Sequence, residues 1–268
     1  MSTIAVPVAF QARLARTELV KGLRLMWRRR SMVVVGMISY GTSYLGISLF
    51  IGGGHLVKDL MVRTMPALLA VVVASIAAVE GTGGVAEEIN GGTHEQTQLS
   101  PVSPQLQALA RMVALAIEGL AAAVVLGIVF VFGVGLDIDP HPAVLLPVLL
   151  TILDALGYGL IMTALTVRVA SIGAISHVGN MVIMAFGGML VPVSVFPHGL
   201  EIFARFIPTA LGVQSINTTL AGRGLGATWS DHTLPWLLVH TSVVMVVGLG
   251  LYVINIRHAQ REGGLSPR

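Results

Sequence analysis

Carboxylates are scarce in this chain, so the places where they gather are informative. Only 13 Asp and Glu stand in 268 residues. Three of them, Glu87, Glu88 and Glu95, fall in one polar stretch, EEINGGTHEQTQLSPVSP (87–104), between long apolar runs. A hydrolytic reading of this stretch fails on spacing. His94-Glu95 begins the zinc-protease pattern H-E-x-x-H, but Gln98 stands where the second histidine belongs. No G-x-S-x-G nucleophile turn occurs, and no G-x-x-x-x-G-K-(S/T) phosphate loop. Gly52-Gly53-Gly54 precedes His55 and Lys58, but at the wrong spacing for a phosphate cradle. What remains is a surface for docking. Gly91 and Gly92 break any preceding helix, and Thr93 can cap a short new one with Glu95 and Gln96 in its first turns. Ser103-Pro104 reads as the N-cap and first residue of the next long helix. A short helix held between two hinges would present carboxylates and amides to a soluble partner.

Five further ionisable residues, Glu80, Glu118, Asp154, His177 and His240, fall within or at the ends of apolar runs. Such groups are costly in hydrocarbon and are functional candidates by default. Glu80 precedes Gly81, Gly83 and Gly84 and can reach water, and His177 and His240 read as structural. Glu118 and Asp154 sit well inside neighbouring runs. They are candidates for a translocation path, attracting cationic amphiphiles or sharing a proton; helix packing or a subunit contact is the alternative.

The elements that must position these residues are helices in a bilayer. The chain is 54% hydrophobic and 11% charged, with a mean hydropathy of +0.84, where a soluble domain carries about a quarter charged residues. Period-two alternation is absent, which argues against a β-barrel. The expected fold is an all-α polytopic membrane protein, a single domain over 1–268 with six spans at 31–51, 60–83, 105–135, 143–167, 174–195 and 234–255. The loop at 84–104 and the tail at 256–268 flank them. Residues 8–30 show a helical pattern, with Arg13, Lys21, Arg24 and Arg28 on one face and Ala12, Ala15, Leu19 and Leu23 on the other. This reads as an interfacial helix in the headgroup layer. Segment 196–233, with Pro197, Pro208 and glycines between 222 and 226, suggests short re-entrant helices. The first apolar stretch is short and its basic residues follow it, unlike a cleavable signal. There are no cysteines to form disulfides or thiolate metal sites, and no metal site is expected.

Orientation follows from Lys and Arg. With both termini inside, twelve of the 16 basic residues lie on the inner side, against Lys58, Arg63, Arg205 and Arg223 outside. Both termini and the 84–104 loop are therefore expected in the cytoplasm, in the cell (plasma or inner) membrane. Because the basic residues flank apolar spans, the pI near 9.7 reads as topology rather than nucleic-acid binding.

The run Glu88, Gly92, Thr93, Glu95, Gln96, Leu99, Pro101, Val102, Ser103 resembles the coupling-helix signature of type-2 ABC exporter permeases, approximately E-x-x-x-G-T-x-E-Q-L-x-x-(S/T)-P-(V/I)-S. Thr97 stands where an apolar residue is frequent, and Asn90-Gly91 where Lys or Arg is common. A second stretch, 187–220, is similar to that family's G-x-x-x-P-x-x-x-(L/F)-P-x-x-(L/I)-x-x-(L/F/A)-x-x-x-P pattern, carried by Gly188, Pro192, Pro197, Leu200 and Pro208. The resemblance implies short helices there that dip from the outer surface and help close the exit. It implies a transmembrane subunit that pairs with a second permease, identical or homologous, and with two ATP-binding subunits. Those subunits would be clamped by the N-terminal helix and the coupling helix, through Glu87 and the residues above. ATP and Mg²⁺ would belong to the partner, since this chain has neither a phosphate loop nor an LSGGQ signature. An ion- or proton-coupled secondary transporter using Glu118 and Asp154 is the main alternative, although no inverted repeat is legible. A membrane-embedded enzyme lacks a catalytic constellation, and a non-transporting scaffold uses the same assembly motifs. Short outer loops, apolar spans and only three Trp and four Tyr favour a hydrophobic or amphiphilic cargo of the drug, antibiotic or lipid-like kind over a long glycan.

Overall fold

A computed structural model of the chain describes residues 8–92, 103–139, 141–168, 172–222 and 224–261. Among them every regular element is helical. In chain order these are α1 (Val8–Ile51), α2 (Lys58–Asn90), α3 (Pro104–Gly135), α4 (Pro142–Thr166), α5 (Ile172–Phe186), α6 (His198–Ala204), α7 (Ala210–Gly222), α8 (Leu225–Ser230) and α9 (Thr233–Arg261). Five are long and apolar enough to cross a bilayer: α2, α3, α4, and the stretches Trp27–Ile51 of α1 and Thr233–Ala259 of α9. The fold is that of an all-α polytopic membrane protein.

Three expectations about these elements change. First, the basic segment 8–30 is not a separate interfacial element. It runs without a break into the first span as a 44-residue helix, about 66 Å long at 1.5 Å per residue. No proline interrupts it, and side-chain contacts hold its first half to the bundle: Gly22 faces Ala114 of α3 so closely that a Cβ would lie 2.6 Å from Ala114 Cβ. Second, the polar stretch expected to be a loop from residue 84 remains helical to Asn90, where Gly91 and then Gly92, at φ +66°, end α2. Glu87 and Glu88 therefore sit on a helix rather than in a loop. Third, the expected fifth span is short. α5 stops at Phe186, after 15 residues, because Gly187 and Gly188 turn the chain, Gly188 at φ +92°. Residues 187–195 then form turns rather than the end of a span.

α2 is the central strut. Two-thirds of its apolar window is buried (67%), against 17% for α1 and 28% for α9, so α1 and α9 are the peripheral spans. At one end Tyr44 of α1 locks to α2, its hydroxyl donating to Met61 O (2.7 Å) and lying 2.7 Å from Thr64 Oγ1. Its ring packs edge-on against Phe130 of α3. Small residues let helices approach closely, the packing mode of membrane bundles. A Cβ on Gly159 of α4 would lie 2.7–2.8 Å from Ala77 of α2, including its backbone, and one on Gly248 of α9 would lie 3.0 Å from Gly157 O. Gly159→Ala is therefore expected to lower stability by about 1–3 kcal/mol, the usual cost of overpacking. The check is thermal unfolding in detergent, with Gly250→Ala, where a Cβ meets open space, as the neutral control.

Between Ser75 and Gly81, α2 makes one wide π-turn, Ile76–Glu80. In a regular helix Ser75 and Glu80 lie about 140° apart around the axis; the wider turn brings Glu80 back to the side of Ser75. α3 ends in a second π stretch, Val129–Gly135, whose Gly135 O accepts from Lys58 Nζ at 3.2 Å.

Candidate functional site

Two polar clusters are built into opposite halves of this apolar bundle. The first lies where the N-terminal half of α1, the C-terminal end of α2 and the start of α3 converge. Glu88 accepts from Lys21 Nζ of α1 (3.2 Å), and both its oxygens accept from Arg111 Nη2 of α3 (2.7 and 2.8 Å). Arg29 of α1 donates to Glu80 at 3.1 Å and to Glu87, so one guanidinium joins two turns of α2. Ser103 caps α3 as its sequence predicts, accepting from Leu106 N at 3.3 Å. These contacts give Glu88 an internal task. With 14% of its side chain exposed, it staples three helices, whereas Glu87, at 69%, still faces outward. Arg13, Arg24 and Arg28 are exposed, while Lys21 is turned towards Glu88. Gly92 and Ser103 flank residues 93–102 at the same end. Thr93, Glu95, Gln96, Leu99 and Pro101 lie outside the described residues.

Glu118 belongs to this half too. It is buried, one carboxylate oxygen lacks a hydrogen-bond donor, and its electrostatic neighbours are Glu80 and Arg29. Asp154 belongs to the other cluster. Its Oδ2 accepts from Thr209 N–H (2.7 Å) and its Oδ1 pairs with His240 Nδ1 of α9 (2.8 Å), with 1% of the side chain exposed. His240 Nε2 lies 3.4 Å from Phe206 O. The structure therefore brings Asp154 to His240 rather than to Glu118, and the structural reading of His240 becomes specific. Thr209 adopts φ +74°, a left-handed conformation uncommon for a β-branched residue. The buried carboxylate receives its amide in that turn.

The turn belongs to the proline-rich segment. Pro192 and Pro197 precede a 3-10 turn and α6, Pro208 precedes Thr209, and Gly188 makes the first reversal. Phe186 packs edge-on against Phe196 and Phe203, with centroids 6.3 and 5.3 Å apart. The expected short helices are present as α6, α7 and α8.

Among the described residues, cavities open on the bundle. A groove of about 620 Å³ runs between α1, α2 and α5, with Tyr40, Ser75, Glu80, His177 and Asn180 among its lining. A more apolar one of about 440 Å³ lies between α2, α3, α4 and α7. Neither is lined by Glu118 or Asp154. The sequence reading missed the groove, because Tyr40, Ser75 and Asn180 carry no charge and no motif. Arg29 and Arg111 counted only as topology signals, although an intramembrane or membrane-edge carboxylate calls for a basic partner. Among the described residues, no three His, Asp or Glu side chains gather closely enough to hold a metal ion.

The class is thus a multi-pass helical membrane protein, with ion-paired helix ends on either side of residues 93–102 and short helices before the last span. Residues 53–256 match the model of a family described as ABC-2 family transporter protein. The match covers most of the chain, which belongs to this family, the type-2 ABC transporter permeases. Such permeases are transmembrane subunits that associate with an ABC ATP-binding subunit. None of the curated proteins matches the chain.

Proposed function

We propose that this chain is the membrane-spanning subunit of an ATP-driven exporter that moves a hydrophobic or amphiphilic cargo, drug, antibiotic or lipid-like, out of the cell through the cell membrane. A separate ATP-binding subunit holds ATP and Mg²⁺ and supplies the energy. The observation that carries this reading is the linkage at the basic end of the bundle. α2 stops at Asn90 and α3 restarts at Pro104, and both ends are tied to α1 through Glu88 and Arg29. A force applied to the 91–103 connection therefore reaches three helices at once.

In this reading the basic end and both termini are cytoplasmic, as the Lys and Arg distribution favours. The loop residues Gly92, Thr93, Glu95, Gln96, Leu99 and Pro101 meet the ATPase, with exposed Glu87 beside them, and Arg13, Arg24 and Arg28 offer it a basic rim. Glu88 and Ser103 act from behind, holding the loop ends in place. A second permease subunit, identical or homologous, pairs with this chain. The segment with Gly188, Pro192, Pro197 and Pro208 closes the outer exit, anchored by Asp154. Glu118 stands at the inner end of the pathway rather than at its centre.

The test reconstitutes the chain with its ATPase in proteoliposomes and compares Glu95→Arg with wild type. ATP hydrolysis is expected to continue while transport falls at least about tenfold, the equivalent of 1.4 kcal/mol of lost coupling. Undiminished transport by the variant contradicts the docking role of the loop.

A further inference from the structure

The geometry points to a binding site for an amphiphile bearing a protonated amine in the groove between α1, α2 and α5. The inference builds on the permease reading for its biological role, but the binding itself does not depend on it.

The donors and acceptors of the groove do not balance. Tyr40 Oη donates to Ser75 Oγ at 2.6 Å, and Asn180 Nδ2 donates to the same oxygen at 3.1 Å. Both bonds end on one acceptor. Asn180 Oδ1 is left without a donor on a side chain only 6% exposed. A buried amide oxygen in that state costs about 1–3 kcal/mol, which a ligand N–H would recover. One π-turn towards the basic end stands Glu80, which also lines the groove. Its partner Arg29 is shared with Glu87, and buried Glu118 is near enough to feel both Glu80 and Arg29. Two carboxylates thus share one guanidinium, so the Glu80 ion pair leaves its charge only partly compensated. The groove thus holds an unspent acceptor at one level and the Glu80 carboxylate a turn away.

Its walls decide the rest of the ligand. Met32, Val35, Met181 and Met184 line it, and methionine adapts to irregular apolar shapes. An alkyl or aromatic body lies against these side chains while an ammonium donates to Asn180 Oδ1 and faces Glu80. A carboxylate or phosphate head fits badly, because it would face the acceptor Asn180 Oδ1 and the Glu80 carboxylate. A neutral alcohol satisfies Asn180 but gains nothing from Glu80.

The experiment uses the full chain in phosphatidylcholine nanodiscs and three dansyl-labelled dodecyl probes ending in an ammonium, a hydroxyl or a carboxylate. The ammonium probe is expected to bind at least about tenfold more tightly than either other probe, the low end for a charge-assisted hydrogen bond. Asn180→Leu and Glu80→Gln should each remove most of that preference; Glu80→Gln keeps the side-chain volume, so it covers the case in which Asn180→Leu fails to fold. Equal affinity for the three probes, or a preference unchanged in a folded variant, overturns the site. The permease reading fails separately: an ammonium preference in a chain that couples to no ATPase keeps the site and removes its role in export. ATP-driven transport without any ammonium preference does the reverse.

Discussion

Asp154→Ala is expected to be the most damaging single substitution in the bundle, lowering stability by about 3 kcal/mol or more. The figure follows from breaking a buried pair on one side only. Removal of the carboxylate strands two partners at once: the Thr209 amide, held at φ +74°, and His240, whose ring nitrogen loses its 2.8 Å contact. Neither finds water readily, since Asp154 is 1% exposed. Asp154→Asn should cost far less, because an amide oxygen still accepts from Thr209 N–H and the other amide atom can meet His240 Nδ1. The two variants therefore separate loss of a hydrogen-bonding hub from loss of charge. Thermal unfolding in nanodiscs and hydrogen exchange over 205–213 report the effect. Equal stability of Asp154→Ala and wild type would show that the turn holds itself. A double-mutant cycle with His240→Leu isolates the pair, the double variant losing less than the sum of the single ones.

The second large effect is functional. Glu88→Ala should loosen the junction of α1, α2 and α3 while Arg29 still ties α1 to α2, raising hydrogen exchange across 13–24 and lowering ATP-coupled transport at least about tenfold. Its cost in stability is smaller, about 2 kcal/mol, because Lys21 is 44% exposed and that contact is screened by solvent. Arg111 dominates, with both Glu88 oxygens on one of its nitrogens and 21% of the side chain exposed. Glu87→Ala is the internal comparison. Its side chain is 69% exposed, so helix stapling should persist, and any change in coupling then reports contact with the ATPase. Loss of transport in Glu87→Ala with unchanged exchange in α1 would separate docking from transmission.

How much of this was legible in the sequence differs from residue to residue. The breaks were: Gly91-Gly92 ended a helix, and Ser103-Pro104 began one with its hydroxyl on Leu106 N, because caps and left-handed glycines are local chemistry. Membrane class was legible for the same reason, since hydropathy needs no tertiary partner. The continuity of α1 was not, because a basic amphipathic pattern is the same whether a helix lies in the headgroups or runs on from a span. What distinguishes the two is a contact between distant residues, Gly22 with Ala114 and Lys21 with Glu88. The end of α5 was misplaced because the apolar run through 189–193 hides the reversal at Gly188. The π-turn at Ile76–Glu80 has no signal in IAAVE, yet it decides that Ser75 and Glu80 share a groove. Asp154 and Glu118 stand out in the sequence as carboxylates within apolar runs, but which residues they meet is not written there. Their partners, His240 and Thr209 for one and the neighbourhood of Arg29 and Glu80 for the other, are fixed only by how the helices pack.

The measurement closest to the central claim is co-purification of the tagged chain in mild detergent, with mass spectrometry of what remains bound. The account predicts an ATPase carrying a G-x-x-x-x-G-K-(S/T) loop, retained by wild type and weakened by Glu95→Arg. A folded, monodisperse chain that holds no such ATPase in membranes where it is natively expressed would contradict the account.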